Sequence, residues 1–109
     1  MPLTRDFRET IQARAQRDPE YRRQLLREAV EVLISGDIET GKSLLRDYIN
    51  AAVGFEELAK TTRIPAKSLM RMLGPGGNPQ ARNLLDIIRK LQEYEKIRLT
   101  AAISRRQPA

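Results

Sequence analysis

Apolar residues recur along this chain mostly at helical spacing, and capping signals interrupt them at intervals that predict a set of helices. Phe7, Ile11 and Ala15 stand at i, i+4 and i+8, which predicts a first helix from a Thr4 cap to about Arg17 with a narrow apolar stripe. Asp18-Pro19-Glu20 is a restart signal: Asp18 suits the N-cap, Pro19 the first helical position, and Glu20 the positive end of the helix dipole. A second helix from Pro19 to about Ile34 places Leu25, Leu26, Ala29, Val30, Leu33 and Ile34 on one broad face. Its other face carries Arg22, Arg23, Arg27 and Glu31.

Gly36 suits a left-handed helix terminus and Asp37 the next cap. The third helix, about Ile38 to Ala52, turns Leu44, Leu45, Tyr48, Ile49 and Ala52 inward. Gly54 breaks the pattern, and a short helix follows from Phe55 to Thr61 with Glu56 and Glu57 in its first turn. After Thr62-Arg63-Ile64, Pro65 opens another short helix through Leu73. Gly74-Pro75-Gly76-Gly77-Asn78-Pro79 excludes helix and predicts a loop. A last helix, Gln80 to about Glu93, directs Leu84, Leu85, Ile87, Ile88 and Leu91 to the core. Ile97, Leu99, Ala101 and Ile103 then alternate with Arg98, Thr100, Ala102 and Ser104. Period two fits a short strand, which would need a partner such as a second copy, and a helical extension is the alternative. Arg105 to Ala109 reads as a tail. The expected class is all-α, with an N-terminal helical extension (residues 1–36), a central helical domain (37–94) and a C-terminal strand or tail (95–109).

Composition narrows the chemistry. The 109 residues suffice for one compact domain. There is no Cys and no His, which removes disulfides, the usual zinc ligands, a cysteine nucleophile and the commonest general base. An enzyme is not expected, nor a metal or other cofactor. No apolar run reaches the roughly 18 to 20 residues a membrane span requires. Met1-Pro2-Leu3-Thr4-Arg5-Asp6 lacks the apolar core of a signal peptide, so a cytoplasmic location is the expectation.

The formal net charge is +6. From Leu58 to Gln92 the chain carries Lys60, Arg63, Lys67, Arg71, Arg82, Arg89 and Lys90 against Asp86 alone, seven minus one, which equals the whole excess of +6. Such local concentration is what an electrostatic footprint for phosphate requires, and it is also compatible with a solvated basic face.

Within that window, residues 55 to 73 have the makings of a helix-turn-helix unit, in which two short helices are joined by a tight turn. Leu58 supplies an apolar residue where the helices cross, Ala59 a small one where they approach, and Ile64 a buried residue in the turn. In the second helix Leu69, Met72 and Leu73 can bury, leaving Ala66, Lys67, Met70 and Arg71 outward. Two cations and no acid on an exposed face suit a groove lined with phosphates. Periodicity alone also fits an ordinary helical hairpin in a bundle. Gly41-Lys42-Ser43 lacks the upstream glycine and strand of a phosphate-binding loop and is read as coincidence.

The stretch from Asp37 to Leu91 resembles the five-helix domain of phage repressors and Xre-like regulators. Residues Ile64 to Pro79, with an Arg71-Met72-Leu73 helix end, a glycine-rich loop closing in Gly77-Asn78-Pro79 and the following Asn83-Leu84-Leu85-Asp86-Ile87-Ile88 helix, resemble addiction-module antitoxins of the HigA-like kind. Arg98-Leu99-Thr100 is similar to the short terminal strand of that family. Two positions depart from the pattern. Arg63 stands where glycine is common, which implies a different turn geometry or strain, and Pro65 stands where a capping serine is common. The resemblance implies a lambda-repressor-like fold in a homodimer that binds double-stranded operator DNA and neutralises a RelE-type toxin. The expected DNA-binding residues are Ala66, Lys67, Ser68, Met70 and Arg71 on the second helix, with Lys60, Arg63, Asn78 and Arg82 around it. Lys67 and Arg71 are the candidates for base-edge or phosphate contacts, Ala66 and Met70 for thymine methyls, and Lys60, Arg63, Asn78 and Arg82 for the backbone.

Overall fold

A computed structural model describes residues 5–106 and consists of six helices: α1 (Arg5–Arg17), α2 (Pro19–Ile34), α3 (Ile38–Ala51), α4 (Phe55–Thr62), α5 (Ala66–Met72) and α6 (Ala81–Glu95). Thr4, expected as the first cap, the side chain of Phe7, and residues 107–109 of the expected tail lie outside the described residues.

Local chemistry sets the helix starts. Asp18 accepts a hydrogen bond from the Tyr21 amide at 3.1 Å, with Pro19 in the first turn, and Asp37 accepts one from the Thr40 amide at 3.2 Å. Each cap satisfies an amide that the helix itself leaves unpaired. Gly36, at φ 97°, makes the reversal between α2 and α3. The two helices then pack closely through Gly41, where a Cβ would lie 2.5 Å from Leu33 Cδ2. Pro65 falls one residue earlier than expected. It is the N-cap of α5 (ψ 142°), and its carbonyl accepts the first helical bond from Leu69.

One buried cluster joins five helices: Leu26 and Ala29 of α2, Leu45, Tyr48 and Ile49 of α3, Phe55 and Leu58 of α4, Leu69 of α5 with Leu73, and Ile87 and Leu91 of α6. Two expected core residues are exposed instead. Leu85 is 63% exposed, because the inward stripe of α6 runs through Leu84, Ile87, Ile88 and Leu91 and Leu85 falls beside it. Ile34 is 77% exposed, at the last turn of α2, where Leu33 is the residue that meets α3 at Gly41.

Residues 97–106 contain neither the short strand nor the helical extension that the alternation suggested. Lys96 adopts a left-handed conformation (φ 58°) and ends α6, after which Ile97 and Leu99 pack against the core and the Leu99 amide donates to Gln92 Oε1 at 2.8 Å. The alternation is used to lay an extended segment on a helical surface, and it stops at Leu99: Ala101 and Ile103 are exposed.

Candidate nucleic-acid interface

The region of interest is built from α4, the Arg63-Ile64-Pro65 turn, α5 and the loop that follows. Gly54 (φ 85°) starts α4, and Glu56 and Glu57 lie in its first turn, where acids oppose the positive helix end. Leu58 is buried and Ala59 packs against the core. At the far end Arg63 takes the left-handed conformation (φ 61°, ψ 25°) and its amide donates to Ala59. The turn therefore has the geometry a glycine would provide, achieved by a residue with a Cβ and so under strain. Thr62 braces it: Oγ1 donates to the Leu58 carbonyl at 2.8 Å and accepts from the Ile64 amide at 3.3 Å. Ile64 tucks its side chain against the core.

Leu69 and Leu73 anchor α5 in the core with no exposure, and Met72 is half-buried. Lys67, Met70 and Arg71, at i, i+3 and i+4, share the exposed face, Met70 being 46% exposed. Ala66 and Ser68 are only half-buried, and Ala66 packs partly against the core. Helical spacing puts the apolar side chain of Met70 beside the two cations on this face.

The remaining expected residues differ in their surroundings. Arg63 is exposed in the turn, Asn78 in the loop and Arg82 in the first turn of α6, which contains no acid. Lys60 is exposed on α4 with Nζ 3.8 Å from Glu57. Arg89 lies 3.8 Å from Asp86 and 3.9 Å from Glu93, and Lys90 lies 3.4 Å from Glu93. Among the described residues, Arg63, Lys67, Arg71 and Arg82 have no acidic partner. Four of the seven cations in the basic window are therefore uncompensated, and two of those four sit on α5.

No family model, curated protein or solved structure matches this chain.

The loop after α5 is more tightly built than its glycine content suggested. A Cβ on Gly77 would overlap the Arg71 and Met72 carbonyl oxygens, so the loop folds directly over the end of α5. The Gly77 amide donates to Gly74 at 3.0 Å, which commits it internally and leaves it unavailable to a phosphate. Lys42, 1% exposed, reaches this loop from α3: its ammonium donates to the Gly77 carbonyl at 2.5 Å and to the Gly74 carbonyl at 3.2 Å, and pairs with Glu39 at 2.9 Å. The sequence reading missed Lys42. A signal was present, because Lys42, Leu45 and Ile49 form one i, i+3, i+7 stripe, and a charged residue in register with an apolar stripe needs a buried partner.

A second buried charge shows the same signature. Glu95 follows Ile88 and Leu91 at helical spacing and its side chain is fully buried. It accepts from Arg22 Nε at 3.1 and 3.3 Å and from the Tyr48 hydroxyl at 2.5 Å, while its carbonyl accepts from Arg23 at 3.1 Å. Arg22 also donates to the Ala15 carbonyl at 2.8 Å, so the cluster joins α1, α2, α3 and α6. Burial, with the hydrogen bond to Glu95 second, pushes the Tyr48 phenol far above its ordinary value, and the bond to Glu95 raises Arg22. This cluster is a fastening of the fold and includes no residue of α5.

Proposed function

We propose that this chain is a sequence-specific DNA-binding transcriptional regulator in which α4 and α5 act as a helix-turn-helix unit and α5 enters the major groove. The observation that carries this reading is the α5 surface: Lys67, Met70 and Arg71 outward on a helix anchored by Leu69 and Leu73, with both cations free of acidic neighbours among the described residues. A short rigid helix with uncompensated cations fits a groove walled by phosphates, and a guanidinium there matches the acceptor pair of guanine. Arg63 and Arg82, similarly unpaired, suit contacts to the DNA backbone.

The resemblance of Ile64–Pro79 to addiction-module antitoxins supports the narrower proposal of an antitoxin that acts as a homodimer on its own operator and neutralises a RelE-type toxin. The test is a mobility-shift titration with the DNA upstream of its coding sequence, together with co-purification against the product of the adjacent reading frame. Sequence-dependent retardation at low salt is expected, and capture of a small basic protein is expected for the antitoxin role. Capture of that protein without any DNA retardation would overturn the regulator and leave a pure interaction module.

A further inference from the structure

We infer that Lys42 is a positioning residue for the α5 surface, an internal clamp that fixes the Gly74–Gly77 loop over the end of α5 and so sets the pose of Arg71. The inference rests on the proposed DNA-binding role for its functional consequence, and on geometry alone for the clamp.

A lysine ammonium taken out of water is costly unless every donor finds an acceptor. Lys42 meets that condition: three acceptors, the Gly74 carbonyl, the Gly77 carbonyl and the Glu39 carboxylate, stand at 3.2, 2.5 and 2.9 Å. Two of the three are main-chain carbonyls on either side of Pro75-Gly76, so the side chain defines the shape of the loop itself. The loop in turn bears on α5 at one point. The Gly74 amide donates to the Arg71 carbonyl at 3.2 Å, and Gly77 packs so close to the Arg71 and Met72 carbonyls that no Cβ fits. Helix α5 has seven residues and cannot hold its shape unaided. Any displacement of the loop therefore moves the peptide group of Arg71, one of the two cations of the candidate recognition surface. Being 1% exposed, Lys42 does not meet a ligand itself. It acts through the loop.

The clamp is tested with Lys42→Met and with the charge-neutral Gly77→Ala, which disturbs the same contact from the other side and serves if Lys42→Met fails to fold. Two readouts are compared with the parent protein: amide hydrogen exchange, and affinity for a duplex selected by the parent from a random library against affinity for unselected duplex, over a range of salt. Both variants are expected to exchange about tenfold faster or more at residues 71–78, through loss of local protection. Both should also lose about tenfold of the preference for the selected duplex, with affinity for unselected duplex within about twofold of the parent. The salt slope should stay unchanged, because no phosphate contact is removed. Parent-like exchange at 71–78 overturns the clamp. A lowered melting temperature with unchanged preference overturns the positioning role and leaves a purely structural lysine. A salt slope smaller by about one in Lys42→Met makes Lys42 a phosphate contact and overturns it as well. If the parent itself selects no duplex, the regulator reading falls and the clamp stands or falls on the exchange result alone.

Discussion

Arg63 holds the turn between α4 and α5 in a left-handed conformation, φ 61°, that costs a residue with a Cβ about 1 kcal/mol or more. Glycine adopts it freely and loses part of the advantage through the greater freedom of its unfolded chain. Arg63→Gly should therefore gain about 0.5 kcal/mol, and Arg63→Val, whose branched side chain resists this region, should lose about 2 kcal/mol, both measurable by urea unfolding. A loss of stability in the glycine variant would contradict the strained turn. The second residue-scale prediction concerns Tyr48, whose hydroxyl donates to the buried carboxylate of Glu95. Tyr48→Phe removes one donor from a buried acceptor, and a loss of about 2 kcal/mol is expected at neutral pH. Burial and Glu95 hold the folded phenol above its ordinary value of 10.0. The unfolded chain thus releases this proton first, so the stabilisation is complete below about pH 10 and falls as pH rises beyond it. Stability should decline less steeply between pH ~10 and ~12 in Tyr48→Phe than in the parent; equal slopes would exclude Tyr48 as the source.

At the scale of elements, Asp18 and Asp37 are the side chains that cap α2 and α3. Asp37→Ala should cost about 1 kcal/mol in thermal or chemical unfolding, and Asp37→Asn much less, since an amide oxygen also accepts from the Thr40 amide. The same caps explain why the helices were legible in the sequence. Asp18-Pro19 and Gly36-Asp37 mark starts and stops by local chemistry, and α2 runs over the residues those signals delimit. The α5 face was legible for a similar reason. Leu69 and Leu73 at i, i+4 fix which side is buried, and Lys67, Met70 and Arg71 follow on the other side. Features that depend on residues distant in the chain were not legible. Lys42 meets carbonyls 32 and 35 residues away, and Glu95 meets Arg22 73 residues away, distances over which no local period carries information. Leu85 and the 97–103 alternation failed for a related cause. Periodicity states which residues share a face, and the packing of neighbours decides whether that face is covered.

Across the whole molecule, ion pairing sharpens the charge distribution seen in the sequence. Lys60, Arg89 and Lys90 are partly neutralised by acids of their own helices, which leaves the unpaired cations of the basic window in the 63–82 segment. If this segment meets DNA, its residues must divide by role. Lys67, Arg63 and Arg82, as phosphate contacts, act on all sequences alike: each alanine variant should weaken binding to selected and unselected duplex in parallel and reduce the salt slope by about one. Arg71, as a base-edge contact, should behave differently. Arg71→Ala should remove about 1 to 3 kcal/mol of discrimination at one base position and change affinity for unselected DNA little. Arg71→Lys should recover only part of it, because a single ammonium cannot bond to two acceptors in the manner of a guanidinium. A titration of the four variants against a selected duplex and its single-base substitutions separates these outcomes. Parallel weakening by all four would make α5 a non-specific phosphate binder and would move sequence reading, if there is any, away from Arg71. An unchanged affinity in all four would remove this face from nucleic-acid binding altogether, leaving its uncompensated cations to an acidic protein partner.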